Sequence, residues 1–198
     1  MHNKVQLRAQ LLQARAAISV TEWQEKSSSI CTLLVNSGLL AKAKTILAYF
    51  SFRTEPDLSP LFYDSNYRWG FPRCVGKTMS WHVWKPGDST NLGTYGITEP
   101  NSNAPIIKPN EVDLILVPCV ACDHKGYRLG YGGGYYDRML SKTEWQSIPT
   151  IGIVFEFAYL PQLPIESWDK PLQNICTENK LETRFIASLL KSKNLKCY

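Results

Sequence analysis

The sequence predicts an α/β fold: a single domain over residues 1–198, with a mostly parallel sheet flanked by helices on both faces. Three short apolar runs point to it. Residues 45–51 (TILAYFS) form a short apolar run rich in strand formers, and 112–117 (VDLILV, broken only by Asp113) and 150–155 (TIGIVF) read as buried strands. Stretches with helical periodicity alternate with these runs, which implies parallel pairing. A length of 198 residues with 44% hydrophobic and 20% charged side chains suits one domain with a sizeable core.

The elements follow in order. Leu7, Leu11, Ala14 and Ile18 repeat at helical spacing, with Lys4, Arg8 and Arg15 off that stripe; Lys4 and Arg8, four apart, share a face. Ser19-x-x-Glu22 and Thr21-x-x-Gln24 both fit a capping box, so a second helix begins here; Trp23, Ile30, Leu33 and Leu34 form its apolar side and Gly38 ends it. The strand at 45–51 is followed by a polar turn, Glu55-Pro56-Asp57, and a short helix at 58–63. Residues 67–73 and 79–84 read as strands, the second alternating Met79, Trp81 and Val83. Residues 88–110, dense in Asn, Gly, Pro and Thr, read as a long loop. After the strand at 112–117 comes a glycine-dense loop and a helix from 135 to 140. The strand at 150–155 and a last short one at 175–177 precede a terminal helix carrying Leu181, Phe185, Ile186, Leu189 and Leu190.

Bulk properties exclude several classes. The net charge of +5 comes from scattered basic residues, without the run that marks a nucleic-acid tail. No stretch is long and apolar enough to span a membrane. Residues 1–18 share their composition with a mitochondrial presequence but read as the first helix of the domain. Among six cysteines only Cys119 and Cys122 form a C-x-x-C, and a four-thiolate zinc site needs a second pair. A redox C-x-x-C needs a helix N-terminus after its first cysteine, whereas Pro118 and the apolar residues before it mark a strand end. Reduced thiols in a cytoplasmic protein are expected.

The chemistry concentrates after that strand end. Four of the five residues Gly130, Tyr131, Gly132, Gly133 and Gly134 are glycines, flanked by Arg128 and Arg138. Such a loop between a strand and a helix lets backbone N–H groups approach a polyphosphate. Its spacing is neither the dinucleotide fingerprint nor a P-loop, and a ligand-free turn is the alternative. Asp137 reads either as a helix-start acid or, beside a phosphate loop, as a hard oxygen ligand for Mg²⁺. Glu55 reads as a solvated turn acid or as an acceptor for an amino-substituted ring. Lys4, Arg8 and Asp169 are uninformative alone.

Placed together, these pieces resemble a known family. Pro118-x-Val120-Ala121-x-Asp123 and Arg128-Leu129-Gly130-x-Gly132-x-Gly134-Tyr135-Tyr136-Asp137-Arg138 are similar to the central motif of the 5-formyltetrahydrofolate cyclo-ligases, also called methenyltetrahydrofolate synthetases. Lys4-x-x-Leu7-Arg8, Tyr49-Phe50-Ser51 with Glu55, Gly96-Ile97-x-Glu99-Pro100, and the stretch from Asp169 to Glu178 match further family pieces in the right order. The resemblance covers about residues 4–178; residues 179–198 find no counterpart and are assigned no role.

The resemblance implies an ATP- and Mg²⁺-dependent ligase of folate one-carbon metabolism, converting 5-formyltetrahydrofolate to 5,10-methenyltetrahydrofolate with release of ADP and phosphate. It implies small-molecule substrates, no nucleic acid, no membrane and a cytoplasmic monomer. By the same carry-over, Lys4, Arg8, Arg128 and Asp137 serve catalysis. Lys4, Arg8, Arg128, Leu129, Gly130, Tyr131, Gly132, Gly133, Gly134, Tyr135 and Tyr136 bind ATP. Phe50, Glu55 and the loop from Tyr131 to Tyr135 contact the folate, and Asp137 and Asp169 hold Mg²⁺. This chain departs from the family in Cys119, where Gly is usual, in Cys122, where Phe is usual, and in Tyr131, often Arg. A positive φ at Cys119 would distort the lead-in to the loop. A catalytically idle nucleotide- or RNA-binding relative, and a thiol-redox or zinc protein built on Cys119 and Cys122, are the competing readings.

Overall fold

A computed structural model of the chain describes residues 3–183. Helix α1 (Lys4–Ala16) starts where the Asn3 side chain accepts the Val5 N–H at 3.2 Å. Helix α2 (Val20–Asn36) starts where Ser19 Oγ accepts the Glu22 N–H at 3.1 Å. Of the two predicted capping boxes, the Ser19 one supplies its N-cap bond, and such a cap stabilises a helix by about 1 kcal/mol. Gly38, at φ +68°, takes the left-handed turn that ends this segment.

The remaining elements are β1 (Thr45–Leu47), β2 (Arg68–Val75), β3 (Thr78–Val83), β4 (Thr90–Leu92), β5 (Thr98–Pro100), β6 (Ile106–Ile107), β7 (Leu114–Pro118), β8 (Ala121–Asp123), β9 (Arg128–Leu129), α3 (Tyr135–Leu140), α4 (Thr143–Gln146), β10 (Thr150–Ile153), β11 (Tyr159–Leu160), β12 (Asn174–Cys176) and β13 (Leu181–Thr183). Eight strands form one sheet in the order β13-β12-β10-β7-β1-β2-β3-β6. From β12 to β2 all pairings are parallel; β13, β3 and β6 join antiparallel at the edges. The mostly parallel sheet of the sequence reading is therefore correct.

Alternation along the central strands sorts the core into two layers. Ile46, Leu114, Leu116, Ile151 and Ile153 face a cluster containing Ile30 and Leu34 of α2. Leu47, Ile115, Val117 and Ile175 face the opposite cluster, which includes Met139 of α3 and Trp145 of α4 and receives Leu7, Leu11 and Leu12 of α1. Helices thus cover both faces, which is why the strands read as unbroken apolar runs. Each fully buried Leu or Ile contributes about 1.5–3 kcal/mol. On β10, a Cβ at Gly152 would lie 2.8 Å from Leu172 Cδ1, so close packing against the neighbouring segment demands glycine.

Three expectations need correction. Residues 88–110 are not one long loop: β4 and β5 pair as a hairpin turned by Gly96 (φ +70°), and β6 closes the sheet edge. The glycine loop does not follow the buried strand directly, because the β8–β9 hairpin, joined by β11 into a separate three-stranded sheet, intervenes. Strands of two or three residues carry no readable periodicity; their partners hold them. Leu181 begins an edge strand on β12 instead of a terminal helix, so the extension after residue 178 contributes to the sheet. Phe185, Ile186, Leu189 and Leu190 lie outside the described residues.

Candidate active site

Strand β1 sits between β2 and β7. The chain proceeds from β1 to β2 on one side and then to β7, β10 and β12 on the other. The carboxyl ends of β1 and β7 therefore flank a reversal of strand order, where open α/β sheets hold ligands. A cavity of about 730 Å³ opens there, within the usual size of a small-molecule site. Lys4, Arg8, Phe50, Glu55, every residue from Arg128 to Asp137, and Asp169 line it. Residues up to 165 positions apart thus share one space.

One wall is cationic. Lys4 Nζ lies 2.5 Å from Asp169 Oδ2, and Arg8 Nε donates to the Gly130 carbonyl at 2.7 Å. The Arg8 guanidinium carbon is 3.8 Å from where a Cβ on Gly132 would stand, so the loop passes close over this arginine. Gly132 (φ +100°) and Gly134 (φ +67°) occupy backbone conformations that L side chains rarely adopt. At Gly134 a Cβ would also meet Arg138 Nη1 at 2.7 Å. Arg138 Nε donates to the Lys77 carbonyl and Tyr135 Oη to the Gly76 carbonyl, at 3.0 and 2.6 Å, which ties the exit of the loop to the β2–β3 turn.

Arg128 is the buried cation of this wall. Its Nη2 donates to Asp137 Oδ1 at 2.6 Å, its Nη1 reaches the Lys170 carbonyl at 3.3 Å, and its guanidinium lies over the Tyr136 ring at 5.7 Å. The Tyr136 hydroxyl is buried and has no hydrogen-bond partner among the described residues. Burial, more than the neighbouring Glu55 charge, pushes the Tyr136 pKa well above its usual value, so it enters any reaction as a neutral hydroxyl.

The opposite wall is aromatic and carries one acid. Phe50 stacks on Phe71, with centroids 4.2 Å apart and planes at 12°, and meets Trp84 edge-on. Glu55 is 3% exposed; its Oε2 accepts the Phe52 N–H at 3.1 Å, and its own carbonyl accepts from Trp23 Nε1 and Ser51 Oγ. Burial raises its pKa to about 7, against the lowering effects of Arg15, the Phe52 amide and Tyr131. The solvated turn acid allowed by sequence is thereby excluded. The hairpin β4–β5 adds Tyr95, Ile97 and Glu99 to the cavity, and Glu99 Oε1 also accepts the Cys74 N–H on β2 at 2.9 Å.

Asp137 and Asp169 are the hard oxygen donors sequence reasoning offered for Mg²⁺. They stand on the same cavity, each paired with one cation, and among the described residues no group of three or more His, Cys, Asp and Glu side chains could hold a metal by itself. That donor set fits Mg²⁺, which is commonly held by one or two carboxylates together with substrate phosphates. Cys119 and Cys122 are buried, outside any such cluster.

The chain has relatives of known name. The family described as the 5-formyltetrahydrofolate cyclo-ligase family matches residues 1–178. The chain belongs to that family. It is 30% identical over 177 residues to the 5-formyltetrahydrofolate cyclo-ligase of Haemophilus influenzae, covering 86% of this chain and 95% of that one. With its Escherichia coli K12 counterpart it shares 28% identity over 178 residues, 85% of this chain and 97% of the relative. The NMR structure of Aquifex aeolicus 5,10-methenyltetrahydrofolate synthetase superposes with a TM-score of 0.82 at 31% identity, covering 92% of this chain and 93% of the other. A Mycoplasma pneumoniae 5,10-methenyltetrahydrofolate synthetase gives 0.72 at 26% identity, covering 89% and 99%.

Within this cyclo-ligase fold the departure at Cys119 is harmless. Among the described residues only Arg53 and Thr54 are non-glycine positions with positive φ, so Cys119 sits in ordinary backbone, bonded from its N–H to the Ile153 carbonyl at 3.1 Å. Cys119→Gly is expected to keep turnover within about twofold while lowering stability by about 1–2 kcal/mol, through the lost side chain and added backbone freedom. Steady-state rates and a denaturant titration check this.

Sequence reasoning missed Arg15. It is 3% exposed, and it is the buried residue of α1. Its signal was legible: Lys4, Arg8 and Arg15, spaced by four and seven, fall on one helix face.

Proposed function

We propose that this cyclo-ligase converts 5-formyltetrahydrofolate and ATP to 5,10-methenyltetrahydrofolate, ADP and phosphate. The observation that carries this is the two-sided cavity: a glycine loop with Lys4, Arg8 and Arg128 on one side, Phe50 and buried Glu55 on the other. The first side suits a triphosphate. The second suits a pterin, whose ring offers a face to the aromatic wall and N–H donors to a carboxylate.

The formyl oxygen attacks the γ-phosphorus, the bond to the β-phosphate oxygen breaks, and ADP leaves. The resulting imidoyl phosphate carries an electrophilic carbon. N10 attacks that carbon and loses its proton; the C–O bond breaks, phosphate departs and the ring closes. The protein contributes positioning and charge neutralisation. Lys4, Arg8 and Arg128 face the phosphates, and N–H groups of the Gly130 to Tyr135 loop line the transfer point. Glu55, ionised above its raised pKa of about 7 and below it when pterin donors hold the charged form, orients the ring. Asp137 and Asp169 would hold Mg²⁺, which would supply positive charge against the developing negative charge of phosphoryl transfer.

The enzyme works in this reading as a cytoplasmic monomer on small molecules of one-carbon metabolism, without nucleic acid or membrane. The cysteines at 31, 74, 119, 122 and 176 are free thiols, as a reducing compartment keeps them. No helix among the described residues is long and apolar enough to cross a membrane. The test follows near-ultraviolet absorbance of the methenyl product. Product is expected only when folate, ATP and Mg²⁺ are all present, and its absence at micromolar enzyme sinks the reading.

A further inference from the structure

The turn that carries Glu55 is built from consecutive left-handed residues. Arg53 (φ +48°) and Thr54 (φ +56°) are the non-glycine residues with positive φ among those described, and they stand next to the buried acid. Backbone of this kind persists only where surrounding contacts over-determine it, and such contacts cluster at functional sites. Here they converge on one side chain. Arg15 Nε donates to the Arg53 carbonyl at 3.1 Å, and the Thr54 hydroxyl, which donates to that same carbonyl at 2.7 Å, also lies 3.3 Å from the Arg15 carbonyl. The Arg15 Nη2 donates to the Tyr131 hydroxyl, and its guanidinium lies 5.6 Å from the centroid of that ring. Tyr131 packs edge-on against Phe52, with centroids 6.1 Å apart, and its hydroxyl approaches the Phe52 carbonyl at 3.4 Å.

Arg15 does not line the cavity, so it has no claim to touch substrate. What it touches are the two pieces that do: the strained turn behind Glu55, and the tyrosine this chain carries inside its glycine loop. Among the described residues its buried Nη1 has no hydrogen-bond partner, an unfavourable arrangement that a purely structural arginine on a helix surface would avoid by facing water.

We propose that Arg15 is the positioning residue of the folate half of the site: it locks the 52–55 turn, aims the Glu55 carboxylate and fixes the Tyr131 ring at the cavity wall. The proposal rests on the two-substrate reading above for its kinetic consequence, but not for its structural one. The guanidinium is needed because two nitrogens bond in different directions, to a backbone carbonyl and to a phenol; a lysine ammonium on a longer, flexible stem cannot reproduce that fork. The nucleotide half depends instead on Lys4, Arg8 and Arg128, none of which Arg15 contacts in a bond.

Arg15→Met, which keeps the apolar stem, tests this with two readouts. The first is limited trypsin digestion, following cleavage of the Arg53–Thr54 bond by mass spectrometry. The wild-type turn resists, and in the variant this bond is cut about tenfold faster while far-ultraviolet circular dichroism is unchanged. The second is a KM split: KM for 5-formyltetrahydrofolate rises about tenfold while KM for ATP stays within about twofold, with Arg15→Lys recovering little of the loss. Tyr131→Phe removes one hydroxyl and shifts the folate KM in the same direction by a smaller factor; it carries the test if Arg15→Met does not fold. Unchanged cleavage at Arg53, or equal movement of both KM values, overturns the proposal. A wild-type chain that forms no methenyl product would sink the reaction assigned above, and the cleavage result would still decide the role of Arg15.

Discussion

Asp137→Ala is expected to abolish turnover, with kcat falling by about a thousandfold or more, the scale seen when a group that holds transition-state charge is removed. The carboxylate stands in the first turn of α3, directly after the glycine loop, with Oδ1 bound to Arg128 at 2.6 Å. Arg128 is the more buried of the pair, with a side chain 5% exposed against 28% for Asp137. Alanine therefore removes the hard oxygen donor and also strands a buried cation, which would lower stability and confuse the result. Asp137→Asn separates the two effects. It keeps an oxygen for Arg128 and removes the charge that a divalent cation needs. Both variants are expected to lose turnover, while Asn retains most of the wild-type stability. The measurements are single-turnover product formation across a Mg²⁺ titration and a thermal melt. An Asn variant with more than about a tenth of the wild-type rate at saturating Mg²⁺ would show that Asp137 serves only to hold Arg128.

Glu55→Gln is expected to lower kcat/KM for the folate by about a hundredfold and, above neutral pH, to stabilise the protein. The sign follows from the carboxyl itself. Its ordinary pKa of 4.5 rises to about 7 in the folded chain, chiefly through burial. Between those values the folded protein keeps a proton that the unfolded chain has released. Stability contributed by this group is thus present in acid and is lost as pH rises from about 4.5 through about 7, by about 3 kcal/mol once ionisation is complete. Glutamine carries no such loss and can still accept the Phe52 N–H. The stability difference between variant and wild type should therefore grow across that window and level off above it. Denaturant titrations at several pH values read this directly. A difference that does not change with pH would mean that Glu55 titrates as an ordinary exposed acid.

These two acids show how differently a site can be written in a chain. The place of Asp137 on the cavity was legible because its setting is local: glycines, tyrosines and arginine within a few residues define a loop and a helix start. Glu55 was legible only through the family resemblance, since a turn acid and a buried acceptor look alike until packing is known. Arg15 went unread although it shares the helix face of Lys4 and Arg8, because nothing near it in the chain says that its guanidinium reaches Arg53 and Tyr131. The Lys4–Asp169 pair joins residues 165 positions apart and has no local trace at all.

The sequence alone determined the α/β class, the three apolar strands and the position of the glycine loop. Covering a strand on both faces demands an unbroken apolar run, and a loop with left-handed backbone at Gly132 and Gly134 favours glycine; both are written within a few consecutive residues. The tertiary structure decided the rest: the β8–β9 hairpin and the β6 edge, the strand at Leu181, the partners of each cation, and the raised pKa of Glu55. Those depend on which distant segments meet. A two-residue strand is held by its neighbour, and the Glu55 carboxyl is pushed up by its burial in the folded chain. Residue types near it in the chain do not encode that burial.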